Sequence, residues 1–208
     1  MNLLLDDSVR QAYTPDWRAS DTLLVRLDQL LRQWRPRSIV ETGPGLSSIL
    51  FYRYAQSRPG THYVSLDHEG TFHERFVAHA RSLGFDTGNA HAVPLADDQF
   101  YARCPLPQRT YDLIVLDGPA SSESRALPRS LELIRGWMHP RSILVQDDTH
   151  RVPERSVVDT IERWFPGGHF QCLDVQDPHY PRRSTILLPA TSPWARMKRV
   201  LGSFRKAT

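Results

Sequence analysis

Residues 38–48 read Ser38-Ile39-Val40-Glu41-Thr42-Gly43-Pro44-Gly45-Leu46-Ser47-Ser48. A short apolar run ends in a carboxylate, two glycines follow, and a helical pattern begins at once. The pattern is a strand, a tight turn and a helix. Glycines let the backbone fold sharply and leave room for a ligand, because no Cβ intervenes. The helix start beyond them offers unsatisfied N–H groups to a polar ligand. Such a unit commits the chain to a parallel α/β sheet with its ligand beyond the strand ends.

The remaining sequence repeats the alternation. Residues 1–37 read as a helical extension. Asp21 is placed to cap a helix whose apolar positions Leu23, Leu24, Leu27, Leu30, Leu31 and Trp34 recur at helical spacing, and Pro36 stops it. Tyr13 and Trp17 before it could supply aromatic contacts to a ligand. The strand of residues 38–41 is followed by a helix over 46–56. A second strand, 62–67, also ends in an acid, Asp67, and a helix over 71–83 is closed by Gly84. A third strand is expected at 90–95. Tyr111–Asp117 has the continuous apolar run of a strand buried on both faces. A helix over 127–138, a fifth strand at 142–146 and a helix over 153–164 follow. Two last strands, 169–175 and 184–188, flank a proline-containing loop that suits an antiparallel hairpin.

Composition narrows the class. A chain of 208 residues with 40% hydrophobic and 24% charged side chains fits one soluble domain. The net charge is +3, but Arg196, Lys198, Arg199, Arg205 and Lys206 lie in residues 190–208 without an acid. Taking those five cations from +3 leaves −2 for the body, which argues against a nucleic-acid partner. Cys104 and Cys172 have no metal-type spacing, in keeping with a reduced, cytoplasmic compartment. Leu3-Leu4-Leu5 meets Asp6-Asp7 at once and is too short for a signal peptide. No apolar run approaches the ~20 residues of a membrane span.

Acids gather where a ligand would bind: Glu41, Asp67, Asp117, Asp147 and Asp148 at strand ends, and Asp97 after the third strand. Clustered carboxylates repel one another and call for a cation or a hydroxyl-rich ligand. With Val40-Glu41-Thr42-Gly43-Pro44-Gly45, Asp67 and Leu116-Asp117-Gly118-Pro119 in this order, residues 38–189 resemble the class I S-adenosylmethionine-dependent methyltransferases. The resemblance implies a three-layer, Rossmann-like α/β fold, with seven strands in the order 3-2-1-4-5-7-6 and the seventh antiparallel. It implies that Glu41 holds the methionine amino end through the turn and that Gly43 and Gly45 let the backbone pass the cofactor. Ser47 stands where a third glycine is common. Asp67 would accept from the ribose hydroxyls, with His68 beside the cofactor and Asp97 along the adenine edge. A nicotinamide-dependent oxidoreductase is the alternative for the same turn, and the missing third glycine counts against it.

Asp117, Asp147 and Asp148 are similar to the acids that hold a divalent cation in catechol-type and some sugar-modifying O-methyltransferases. That similarity implies Mg²⁺ or Mn²⁺, which takes hard oxygen ligands and lowers the pKa of a bound hydroxyl. The lysine base of the catechol-type pattern is replaced by Ala120. His150, two residues after Asp148, is the candidate base. Arg125 and Arg151 are candidates for a carboxylate or phosphate on the substrate. The Asp-Asp-x-His-Arg run also looks like small methyltransferases acting on sugars and uronic acids. The acceptor ranked first is therefore a hydroxyl of a small polar sugar, uronic acid or glycan, and a phenolic natural product second.

An RNA methyltransferase would want a basic, aromatic-lined mouth, and a binding module without chemistry would not need the full set of cofactor residues. In the tail of residues 190–208, Trp194, Met197, Val200, Leu201 and Phe204 recur at helical spacing between basic residues. Such a segment suits packing on its own domain or in a homodimer first, and peripheral contact with an anionic membrane second.

Overall fold

The computed structural model describes residues 19–95, 109–119, 127–165, 170–178 and 181–190, together with Val9, Tyr101 and Leu106. The expectations for Asp97, Ala120, Arg125, Tyr13, Trp17, Cys104 and the tail after residue 190 fall outside the described residues. The elements are α1 (Asp21–Trp34), β1 (Ser38–Thr42), α2 (Leu46–Ser57), β2 (His62–Asp67), α3 (Gly70–Ser82) and β3 (Ala90–Ala92). After them come β4 (Leu113–Leu116), α4 (Leu127–Trp137), β5 (Ile143–Gln146), α5 (Val152–Trp164), β6 (Phe170–Gln176) and β7 (Arg183–Pro189).

The seven strands form one sheet in the order β3-β2-β1-β4-β5-β7-β6. All neighbours run parallel except β7, which is antiparallel to both β5 and β6. The order and the reversed strand are those expected. Alternate residues of each strand go to opposite layers. Ile39, Tyr63, Leu113, Val115, Ile143 and Val145 pack with α1, α2 and α3. Val40, Val64, Leu66, Ile114, Leu116 and Leu144 pack with α4 and α5. These central strands are sealed on both faces, which is why their sequences are continuous apolar runs.

Helix α1 is part of the core. Leu23, Leu24, Leu27, Leu30 and Leu31 are buried in the same cluster as Ile39. Its cap is Ser20, whose hydroxyl accepts from the Leu23 N–H at 3.1 Å, in place of the expected Asp21. Either side chain could serve; the extended backbone at residue 20 selects the serine. The third strand is shorter than expected and stops at Ala92, where it has run out of partners on β2 at Asp67. Cys172 is a free, exposed thiol. Among the described residues, no helix is long and apolar enough to cross a membrane.

Candidate active site

The carboxyl ends of β2, β1, β4 and β5 meet at one edge, and backbone hydrogen bonds hold them in register. Gly43 N–H donates to the Leu66 carbonyl at 2.9 Å, Asp117 N–H to Thr42 at 3.0 Å, and Asp147 N–H to Leu116 at 2.9 Å. Thr42 Oγ1 donates to the Gly118 carbonyl at 2.9 Å. The turn after β1 therefore lies directly against the end of β4. Gly43 has φ +73°, and a Cβ there would stand 2.5 Å from the Asp117 carbonyl oxygen. No other residue fits. A Cβ on Gly45 would meet nothing within 4 Å, so this side of the turn, at the start of α2, is open to a ligand.

Glu41 is 0% exposed. Ser47 Oγ donates to its Oε1, and Ser48 Oγ and Tyr63 Oη both donate to its Oε2, each at 2.5 Å. Burial pushes its carboxyl up to about 7, against the pull of these three hydroxyls. The carboxylate thus turns inward beneath the loop, into the layer of Tyr63 and α2, and not toward the open edge.

Asp67, at the end of β2, is 3% exposed. Its Oδ1 accepts from Glu69 N–H at 3.1 Å, with His68 Nδ1 at 3.6 Å. Its Oδ2 is buried with no hydrogen-bond partner. Burial raises its pKa above the ordinary carboxylate value. An orphaned acceptor beside an open glycine turn fits a ligand hydroxyl donating to it, as the ribose of the implied cofactor would.

The acids of β4 and β5 form the other half of the edge. Asp117 is partly buried, and its pKa is raised well above the ordinary value by burial and by the charges of Asp147, Asp148 and Glu41, with Arg182 opposing. Asp147 is raised by burial and by Asp148. Its Oδ1 accepts from Ser184 Oγ at 2.6 Å and from Asp148 N–H at 2.8 Å. Asp148 has φ +55°, a left-handed conformation that aspartate tolerates. Its Oδ2 lies 2.9 Å from Arg151 Nη1, and its Oδ1 lies 3.7 Å from His150 Nδ1. Arg151 also reaches Glu154 Oε1 at 3.7 Å.

Carboxylate oxygens are the donors that Mg²⁺ prefers. Among the described residues, no three His, Cys, Asp or Glu side chains are grouped to hold a metal ion. Asp147 is tied to Ser184, and Asp148 is tied to Arg151. Asp148 Oδ1 is buried with no hydrogen-bond partner, and a cation among these residues is not shown. Ser184, Arg151 and Arg182 offset part of the repulsion among these acids.

The structure thus brings Gly43, Gly45, Asp67, His68, Asp117, Asp147, Asp148, His150 and Arg151 to one edge and buries Glu41, Ser47 and Ser48 beneath it. Arg182 and Ser184 were missed in the sequence. They arrive from the start of β7, which the antiparallel hairpin returns to the end of β5: Thr149 N–H donates to the Arg183 carbonyl at 2.6 Å. The expected strand order contained that signal. Tyr63 gave none, because an inward aromatic on a strand reads as core.

Comparison with known proteins bears on the fold. An O-methyltransferase of Streptomyces achromogenes involved in tomaymycin synthesis, solved with S-adenosylmethionine, matches with a TM-score of 0.63 at 16% identity, over 89% of this chain and 91% of that one. An O-methyltransferase of Bacillus cereus with S-adenosylhomocysteine gives 0.67 at 16% identity, over 89% and 92%. The S-adenosylhomocysteine-bound methyltransferase PaMTH1 of Podospora anserina gives 0.61 at 12% identity, over 88% of each chain. At such identities the likeness is one of fold. No curated protein sequence matches the chain. The methyltransferase-domain family matches residues 40–149, from β1 through the loop after β5, which is more than half of the chain. The chain belongs to that family, and its fold is that of the class I S-adenosylmethionine-dependent methyltransferases.

Proposed function

We propose that this protein transfers a methyl group from S-adenosylmethionine to a hydroxyl of a small polar acceptor. A sugar or uronic acid is the first acceptor class, and a phenolic natural product the second. The observation that carries the reading is the Asp148–His150–Arg151 set, one strand away from Asp117 and at the same sheet edge as the orphaned oxygen of Asp67. The relatives in fold described as O-methyltransferases support the same acceptor atom.

S-adenosylmethionine, when bound, supplies a sulfonium-activated methyl group, released to an oxygen nucleophile with S-adenosylhomocysteine as the other product. The chain's part is to hold and to deprotonate. Asp67 Oδ2 would accept from a ribose hydroxyl, with His68 beside it, and Gly43 and Gly45 would let the backbone pass the methionine portion. His150 takes the acceptor's hydroxyl proton. A carboxylate on the Nδ1 side favours the tautomer whose Nε2 is open to accept. Arg151 has donors to spare beyond Asp148, so a carboxylate on the acceptor can share it. Arg125 is assigned to the same acidic group. Asp117, held toward its neutral form, can donate to an acceptor oxygen. No step is routed through a divalent cation.

The test is a panel of uronic acids, neutral sugars and phenols incubated with S-adenosylmethionine. S-adenosylhomocysteine is measured by a coupled assay and the methylated atom by mass spectrometry and NMR. A methyl ether on a hydroxyl is expected, with His150→Ala lowering kcat about 100-fold, the usual scale of general-base loss, and leaving cofactor affinity within twofold. Transfer to nitrogen, or an equal loss of kcat and affinity in His150→Ala, would refute the reading.

A further inference from the structure

The cofactor turn is fastened from below by four side chains from three elements. Glu41 precedes the turn on β1, and Ser47 and Ser48 follow it in the first turn of α2. The single carboxylate of Glu41 accepts from both serines, so it staples the two ends of the turn together. Ser48 Oγ is also the acceptor for the Gly45 N–H at 2.9 Å, which ties the staple to the turn's own peptide. The fourth member is Tyr63 of β2. It lies on the same face of the sheet as Glu41, through the register Ile39↔Tyr63 and Glu41↔Ser65. Its hydroxyl reaches the Glu41 oxygen that Ser48 also uses.

Tyr63 is fixed in turn by α2. Its ring meets Tyr52 edge-on at 4.9 Å and Phe51 at 5.5 Å between centroids. It is 3% exposed and cannot touch a ligand at the open edge. One side chain therefore connects the body of α2, through its ring, to the carboxylate that closes the turn.

We propose that Tyr63 is a positioning residue for the cofactor: by donating to Glu41 beneath residues 43–45 it fixes the turn and the start of α2 in the conformation that binds S-adenosylmethionine. The proposal rests on the assignment of S-adenosylmethionine to this edge. Glu41 then serves the cofactor through the turn it closes. Loss of the Tyr63 hydroxyl leaves Oε2 with one donor where a buried carboxylate needs two, and the turn gains freedom that binding must remove.

The decisive variant is Tyr63→Phe, which keeps the ring contacts and deletes the hydroxyl. Calorimetric titration with S-adenosylhomocysteine should show binding weakened five- to tenfold. KM for S-adenosylmethionine should rise by the same factor, with kcat at saturating cofactor unchanged within twofold. Ser47→Ala, which releases the other oxygen of Glu41, should weaken binding by a similar factor and tests the staple if Tyr63→Phe folds poorly. In a Glu41→Gln background, Tyr63→Phe should add less than twofold, because the two act through one bond. A dissociation constant within twofold of the parent in both Tyr63→Phe and Ser47→Ala would overturn the proposal. So would a fall in kcat with KM unchanged, or full additivity with Glu41→Gln. Failure of the parent chain itself to bind S-adenosylhomocysteine would remove the cofactor assignment and this proposal with it.

Discussion

Gly43→Ala measures how tightly the cofactor turn is set against β4. An alanine Cβ would stand 2.5 Å from the Asp117 carbonyl oxygen, 2.7 Å from its carbon and 3.0 Å from Gly118 N. Ordinary contact begins roughly 1 Å farther out, so the turn must retreat or β4 must yield. Neither moves freely, because Gly43 N–H is bonded to Leu66 and Thr42 is bonded to both Asp117 and Gly118. A φ of +73° adds the left-handed penalty of a residue with a Cβ, about 1–2 kcal/mol. With overpacking at about 1–3 kcal/mol, the total loss is on the order of 2–5 kcal/mol. In a chain of this length each kcal/mol lowers Tm by about 2–4 °C, so Gly43→Ala should melt roughly 5–20 °C below the parent. Gly45→Ala is the control. Its Cβ meets nothing within 4 Å and its φ of −164° is extended backbone, so Tm should hold within about 2 °C while S-adenosylhomocysteine binding weakens. Differential scanning fluorimetry with and without S-adenosylhomocysteine reads both effects. A Gly43→Ala protein that melts with the parent and binds the ligand equally would refute the close-approach argument.

Stability should also depend on pH through Glu41. Its carboxyl is pushed up to about 7 in the fold by burial. The unfolded chain releases that proton near the ordinary value of about 4.3. Between those values the folded state binds more protons, so stability falls as pH rises through the window, by about 3 kcal/mol for this group. Asp67, Asp117 and Asp147 are raised as well and act in the same direction. Urea melts from pH 4.5 to 8 should show the decline, and Glu41→Gln should make it shallower; a flat or rising curve would contradict the burial argument. Methyl transfer should persist in EDTA, because Asp147 is held by Ser184 and Asp148 by Arg151. Abolition by EDTA with rescue by Mg²⁺ would show that Asp148 leaves Arg151 to bind metal.

Much of the fold is written locally. The periodicity of α1, the apolar runs of β1, β4 and β5, and the glycine after α3 each depend on neighbours a few residues away. A sheet buried on both faces makes that pattern strong. The tight turn at 43–45 was legible for the same reason, since two glycines directly after an apolar run mark a strand turning into a helix. Element ends were less legible. The third strand loses its last expected residues because β2 ends, which is a fact about the neighbouring strand.

The sequence by itself determined the order of elements, the ligand edge and the residue types gathered there. Only the tertiary structure decided what those residues face. Glu41 reads as a residue that serves the cofactor through the turn, and alternation along β1 turns its side chain into the α2 layer, where Tyr63 and two serines hold it. Asp147 and Asp148 read as two adjacent acids, and the returning hairpin brings Ser184 to one while the start of α5 brings Arg151 to the other. A chain records which groups it carries at short range. Whether two of them share a proton, a hydrogen bond or a ligand depends on partners supplied from tens of residues away, and packing alone brings those together.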